Sequence, residues 1–238
     1  MRVWVTRAEP DAKRTAQALI AAGHRPVVSP LLEAHPLKAA DALAKSLIGV
    51  GALAFTSAAG VRAFAALRPI SDRHLTVFTV GQATARAAHE AGFVTVIASD
   101  GDVAALARTI AQKANRPEGV LLHPGAAEPA GDLIGDLTGK GVSARAVAVY
   151  ETLAKAPSAE LEALLVQDPP GIEAVLIHSG KAAQELAKRL EATPELSRRL
   201  VVVAISKSAA EPLKPFKFAR RAIAEKANEA AMLARLGQ

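Results

Sequence analysis

The sequence predicts an α/β fold of two similar domains with parallel sheets, and three observations lead there. Short apolar runs alternate with amphipathic stretches along all 238 residues. Such alternation marks strand–helix–strand units whose sheets are covered by helices on both faces. Hydrophobic residues make up 50% of the chain but aromatic residues only 3%, which suits small helix faces packed closely on valine-rich strands. Finally, a series of short signals in one half of the chain recurs in the same order in the other.

Arg2–Thr6 is apolar enough for a buried strand. Asp11–Ala22 follows with helical spacing, and Gly23 supplies the usual stop. His24–Ser29 returns as a strand. Further apolar runs predict strands at Gly51–Phe55, Leu75–Val80, Val94–Ile97, Gly119–His123, Ser143–Thr152, Ile172–His178, Leu200–Ile205 and Phe216–Ala219. Amphipathic stretches between them predict helices at Ala58–Leu67, Gln82–Ala91, Val103–Lys113, Gly131–Lys140, Ala159–Val166, Lys181–Glu191 and Ala222–Leu236.

The repeat is an ordered set of weak similarities. Val5-Thr6-Arg7-Ala8-Glu9-Pro10 opens a unit that reaches Gly23 and then Glu33; His123-Pro124-Gly125 opens one that reaches Gly141 and then Glu151. Phe55-Thr56-Ser57 corresponds to Ile177-His178-Ser179, and Thr79-Val80-Gly81-Gln82 to Ala204-Ile205-Ser206-Lys207. The segment from Asp102 to Arg108 corresponds to that from Asn228 to Arg235 with a small shift. His123 and His178 are expected at matching strand ends of the two halves.

The two domains need not divide at the middle. Leu31–Leu37 contains Pro36 and follows Pro30, and Val147–Lys155 is a long extended run shortly before Pro157. If the two pair, they form a two-stranded hinge. One domain then comprises residues 1–30 and 156–238, and the other is an insertion of residues 38–146. The linkers are residues 31–37 and 147–155.

Composition narrows the chemistry. The chain has no cysteine, so disulfides, zinc–thiolate sites and thiol nucleophiles are excluded. Lys and Arg number 29 against 23 Asp and Glu, a net charge of +6. That excess suits an acidic ligand, or serves solubility alone. Nucleic acid is not expected as a partner, because base-stacking aromatics are scarce and no reader motif occurs. No apolar run approaches the roughly 20 residues of a membrane span. The strand-like start at Met1–Val5, with no apolar signal region before it, leads us to expect a cytoplasmic protein. Ser179-Gly180-Lys181 and Gly139-Lys140 lack P-loop spacing, no Gly-x-Gly-x-x-Gly occurs, and Ser57 lies in no nucleophile elbow.

These signals together resemble the uroporphyrinogen-III synthase family, from Val3 to about Leu236. The resemblance is carried by Val5-Thr6-Arg7 before a helix, Gly23, Pro30, Phe55-Thr56-Ser57, Val80-Gly81-Gln82-Ala83-Thr84-Ala85 and Val149-Tyr150-Glu151-Thr152. The Gly-x-x-Thr-Ala and Val-Tyr-x-Thr segments are the most specific. One departure stands out: the second Gly-x-x-Thr-Ala position reads Ser206-Lys207-Ser208-Ala209-Ala210, with serine for glycine and Ser208 standing in for the hydroxyl. The resemblance implies flavodoxin-like halves and a cofactor-free, monomeric lyase of tetrapyrrole (haem) biosynthesis. Its substrate would be hydroxymethylbilane, a linear tetrapyrrole with eight carboxylates. The enzyme dehydrates and closes it with inversion of ring D, through a proposed spirocyclic intermediate. No metal and no coenzyme are implied.

Hydroxylated residues follow the strands at Thr6, Ser57, Thr84, Ser179 and Ser208. Ligands of parallel α/β sheets bind at the carboxyl ends of strands, where helix N-termini offer unpaired N–H groups. Ser57, Thr84, Ser179 and Ser208 are therefore candidate substrate contacts; the alternative is that they only cap helices. By the resemblance, Tyr150, the one tyrosine, faces a cleft and protonates the departing hydroxyl; alternatively it is a packing aromatic. Arg7, in the family's first signal, is a candidate partner for a substrate carboxylate, ahead of Lys181; both also fit ordinary surface charge. A structural or surface role is expected for His123 and His178, which show no metal-ligand spacing. The rival to the enzyme is a two-lobed, non-enzymatic binding protein for an anionic small molecule. The Val80–Ala85 and Val149–Thr152 segments favour the enzyme.

Overall fold

The computed structural model describes residues 1–68, 72–99, 102–112, 117–167 and 171–237. In chain order the elements are β1 (Arg2–Val5), α1 (Asp11–Ala21), β2 (Arg25–Val28), β3 (Leu32–Pro36), α2 (Ala40–Ser46), β4 (Val50–Phe55), α3 (Ala58–Leu67), β5 (Thr76–Thr79) and α4 (Gln82–Glu90). There follow β6 (Val96–Ala98), α5 (Val103–Ala111), β7 (Val120–Ala126), α6 (Leu133–Thr138), β8 (Ala144–Ala154), α7 (Ala159–Leu165), β9 (Ala174–Ile177) and α8 (Gly180–Ala192). The chain ends with α9 (Pro194–Arg199), β10 (Val201–Ala204), α10 (Lys207–Ala210), a 3-10 turn (Glu211–Leu213), β11 (Arg220–Ile223) and α11 (Glu229–Leu233).

The chain forms two compact units, Met1–Glu33 with Leu153–Gln238, and Ala34–Thr152. In the first unit the strand order is β2-β1-β9-β10-β11, with every neighbouring pair parallel. In the second it is β8-β7-β4-β5-β6, again parallel, with β3 added beside β8. Lys155 N–H donates to the Leu31 carbonyl at 2.9 Å, and Leu37 N–H to the Val149 carbonyl at 3.0 Å. β3 and β8 therefore run antiparallel, and the chain passes between units once along each.

The two sheets have one spatial order read from different starting points. Matching β1 with β7, β2 with β8, β9 with β4, β10 with β5 and β11 with β6 superimposes the orders. These are the correspondences of the sequence repeat. The second unit is thus a circular permutation of the first, because it is inserted after β2 and begins at the position equivalent to β9. One expectation fails here. His123 belongs to β7, the counterpart of β1, whereas His178 follows β9, the counterpart of β4. The two histidines do not occupy matching strand ends.

Alternating side chains build a core on each face of each sheet. In the first unit Trp4, Val175, Ile177 and Val202 pack with α8 on one face, and Val3, Val5, Leu176 and Val203 pack with Leu19 and Met232 on the other. In the second, Leu53, Phe55, Val77 and Leu122 pack with Phe64 and Phe93, and Ala52, Ala54, Phe78 and Leu121 with Leu106 and Leu137. Each fully buried large apolar side chain contributes about 1.5–3 kcal/mol. Trp4 is wholly buried, and its indole N–H is satisfied by the Ser29 carbonyl at 2.7 Å.

The C-terminal region departs from expectation. The last strand is Arg220–Ile223, not Phe216–Ala219, and Ala222–Ile223 are strand rather than the start of a helix. Phe216 and Phe218 pack against the core from a loop. Backbone pairing with β10, from Val201 opposite Arg220 to Ala204 opposite Ile223, selects the strand. Such an edge strand tolerates charged residues, so apolarity pointed to the wrong segment. Helices α2, α9 and α10 have no counterpart among the expected elements. Only Leu43 of α2 is buried, which leaves no apolar stripe to read. Lys113, the expected end of α5, lies outside the described residues. No helix among the described residues is long and apolar enough to cross a membrane.

Candidate functional site

In the second unit, α3 and α4 begin just beyond the carboxyl ends of β4 and β5. Ser57 is the N-cap of α3; its Oγ accepts from the Gly60 N–H at 3.0 Å. Gly60 packs closely on β7, since a Cβ there would lie 3.0 Å from the Pro124 carbonyl oxygen. Tyr150 sits on β8 opposite Ala126, the last residue of β7. Its carbonyl accepts from Ala127 N–H at 2.8 Å, and its ring packs in the core with Phe55 and Leu122. The phenol emerges beside α3, with its oxygen 2.9 Å from Ser57 Oγ. The structure therefore brings together two expected site residues 93 positions apart.

Thr84 is placed differently. It lies on the inner face of α4 and is only 4% exposed, while the N-cap position is held by Gly81 without a side-chain cap. Gly81 has extended backbone, with φ 177° and ψ 178°, and a Cβ there meets nothing closer than the Ser99 carbonyl at 3.9 Å. A side chain at Gly81 would therefore meet no close contact at its Cβ. Ser206 caps α10 by accepting from Ala209 N–H at 3.1 Å, and its Oγ lies 3.0 Å from that of Ser208. Counted from the caps, Thr84 corresponds to buried Ala209, whereas Ser208 is one residue earlier and exposed.

In the first unit, Ser179 caps α8, accepting from Ala182 N–H at 3.2 Å, and is exposed. Arg7, just past β1, is held between two carboxylates, Asp11 at 3.5 Å and Glu229 at 3.2 Å. The same Glu229 oxygen lies 3.4 Å from His178 Nε2. Burial pushes the His178 imidazole below its ordinary value, against the opposing pull of Glu229. Burial pushes the Glu229 carboxyl up, but His178 and Arg7 outweigh it and the net direction is down. Arg7 is thus a cation already neutralised within its own unit. Glu229 is not among the residues the sequence singles out; its signal was Asn228, the N-cap of α11, which matches Asp102, the N-cap of α5. Thr6 is buried, its hydroxyl donating to the Leu176 carbonyl at 2.6 Å. His123 is also buried, with Nδ1 2.8 Å from the Ala54 carbonyl, and burial lowers its proton affinity. Among the described residues no group of three or more His, Asp or Glu is placed to hold a metal ion.

A family described as uroporphyrinogen-III synthase HemD matches residues 13–234. The fold is similar to that of uroporphyrinogen-III synthetase from Helicobacter pylori, at 18% identity and TM-score 0.62, covering 98% of this chain and 96% of that one. It is likewise similar to a mutant uroporphyrinogen III synthase from the extreme thermophile Thermus thermophilus, at 18% identity and TM-score 0.60, covering 100% of this chain and 97% of that one. Comparison with curated proteins finds no match. Because the family match runs through both units, including the Ser57 and Tyr150 segments, the chain belongs to the uroporphyrinogen-III synthase family.

Proposed function

We propose that this protein is a lyase that converts hydroxymethylbilane into uroporphyrinogen III, losing water and inverting ring D, in haem biosynthesis. The family match over residues 13–234 carries this reading. A non-enzymatic binding protein is not favoured by it.

Tyr150 is our proton donor. A phenol O–H can act as a general acid. Its proton joins the terminal hydroxyl of the substrate, the carbon–oxygen bond breaks, and water leaves. The electron-poor terminal carbon is then attacked by the substituted carbon of ring D, and a spirocyclic intermediate rearranges to the inverted ring. The remaining chemistry is positional: orienting a flexible chain lowers a barrier by as much as roughly 7–11 kcal/mol.

The substrate carboxylates call for N–H donors and hydroxyls. Ser179 and Ser208 are exposed at the starts of helices in the first unit, and each charge–terminus interaction contributes roughly 0.3–1 kcal/mol. Thr84 would act through its helix N-terminus rather than its buried hydroxyl. Arg7 would meet a carboxylate only by exchanging Asp11 or Glu229 for it. A water-soluble polyanion as substrate fits a cytoplasmic enzyme, and the proposed chemistry calls on no cofactor.

Product analysis with freshly generated hydroxymethylbilane tests the reading. We expect the type III isomer. Formation of only the type I isomer, at the spontaneous rate, would overturn it.

A further inference from the structure

We propose that Ser57 is a positioning residue for Tyr150, holding the phenol in the resting state and donating to its oxygen once the proton has gone. This rests on Tyr150 being the proton donor. A serine hydroxyl has one hydrogen and two acceptor sites. One acceptor site of Ser57 takes the Gly60 N–H at 3.0 Å, and the cap geometry, with φ −156° and ψ 151°, fixes where Oγ points. The Tyr150 oxygen, 2.9 Å away, faces what remains: one acceptor site and one hydrogen.

Both directions of that hydrogen bond are available without moving a heavy atom. With the phenol donating, Tyr150 is held at rest. With Ser57 donating, the phenol hydrogen is released toward another acceptor. In the transfer the phenol O–H breaks, its proton bonds to the hydroxyl oxygen of the substrate, and the C–O electron pair leaves with water. The oxygen left on Tyr150 carries negative charge and accepts from Ser57 O–H. Hydrogen bonds to a charged acceptor are about twice as strong as neutral ones, so the contact strengthens as the reaction proceeds. The Gly60 N–H, at the positive end of the ten-residue α3, polarises the serine in the same sense.

The repeat supplies a second, independent observation. Ser179 is the counterpart of Ser57 and makes the same cap, but the chain's single tyrosine is in the other unit. Ser179 is exposed, whereas Ser57 is half-buried against Tyr150. Capping alone explains the serine in both copies and does not explain the phenol in one.

A single tyrosine makes the test direct, because the tyrosine doublet of the Raman spectrum reports the hydrogen bonding of Tyr150 alone. The protein and its Ser57→Ala, Ser57→Thr, Tyr150→Phe and Ser57→Ala/Tyr150→Phe variants are compared by Raman, by melting temperature and by type III formation. Ser57→Ala should change the doublet and lower kcat about 10- to 100-fold, the loss of one charge-assisted hydrogen bond, with KM little altered. Ser57→Thr should restore both. The double variant should be no slower than Tyr150→Phe. An unchanged doublet in folded Ser57→Ala, a rise in KM instead of a fall in kcat, or equal losses in both Tyr150 backgrounds would overturn the positioning role. Full activity of Tyr150→Phe would overturn the proton-donor reading and the positioning role with it, whatever the doublet shows.

Discussion

Arg7 and Glu229 form an ion pair at 3.2 Å across 222 positions of sequence, joining the loop after β1 to the first residue of α11. Asp11 and His178 complete the cluster. It ties the C-terminal helix to the first strand of its unit. Glu229→Gln should cost roughly 1.5–3 kcal/mol, the range for a hydrogen bond to a charged group. Denaturant unfolding measures it; an unchanged midpoint would show that the pair adds nothing.

Acid should destabilise the protein before its carboxylates titrate. His178 and His123 are both pushed below the ordinary imidazole value of 6.5 by burial. Between their folded values and 6.5 the unfolded chain binds protons that the native protein does not. Stability is therefore complete above about 6.5 and falls as the pH drops below it. His178→Gln should flatten that decline. A slope equal to that of the parent just below pH 6.5 would remove His178 from the account. Glu229, whose carboxyl is lowered, adds a further loss at more acid pH.

Tyr150→Phe should leave folding nearly intact and reduce type III formation by roughly 10²–10⁴-fold, the usual contribution of a general acid. The ring keeps its packing among Phe55, Leu122 and Val149. Paired measurements of melting temperature and turnover separate the two effects.

Salt should weaken substrate binding. Residues 194–238 carry nine Lys and Arg against four Asp and Glu, nearly all of the net charge of +6. Exposed charges are screened over about 8 Å at physiological ionic strength. Raising salt should increase KM more than it changes kcat. A salt-independent KM would assign the carboxylates to backbone N–H groups instead.

Gly51→Ala should destabilise the second unit. A Cβ there would overlap the Glu118 backbone carbonyl where the β4–β7 register shifts. Overpacking of this kind costs about 1–3 kcal/mol. Normal stability would mean that residues near Glu118 can give way.

Much of the fold was legible because it depends on local pattern. Valine-rich runs such as Val201–Ala204 and a cap such as Asp102 announce themselves within a few residues. β11 did not, because Arg220–Ile223 becomes a strand only by pairing with β10. For the same reason, spacing could put Tyr150 on a strand and Ser57 before a helix, but not 2.9 Å from each other.

By itself, then, the sequence determined the alternation of strands and helices, the repeat and the family. These follow from side-chain periodicity and short signals, which act over one or two turns. Only the tertiary structure decided that the repeat is permuted, that Thr84 is buried, that Arg7 is neutralised by Asp11 and Glu229, and that Ser57 meets Tyr150. Each of these depends on which strands become neighbours in a sheet. Strand order is set by long-range packing and backbone pairing, and no local stretch of residues encodes it.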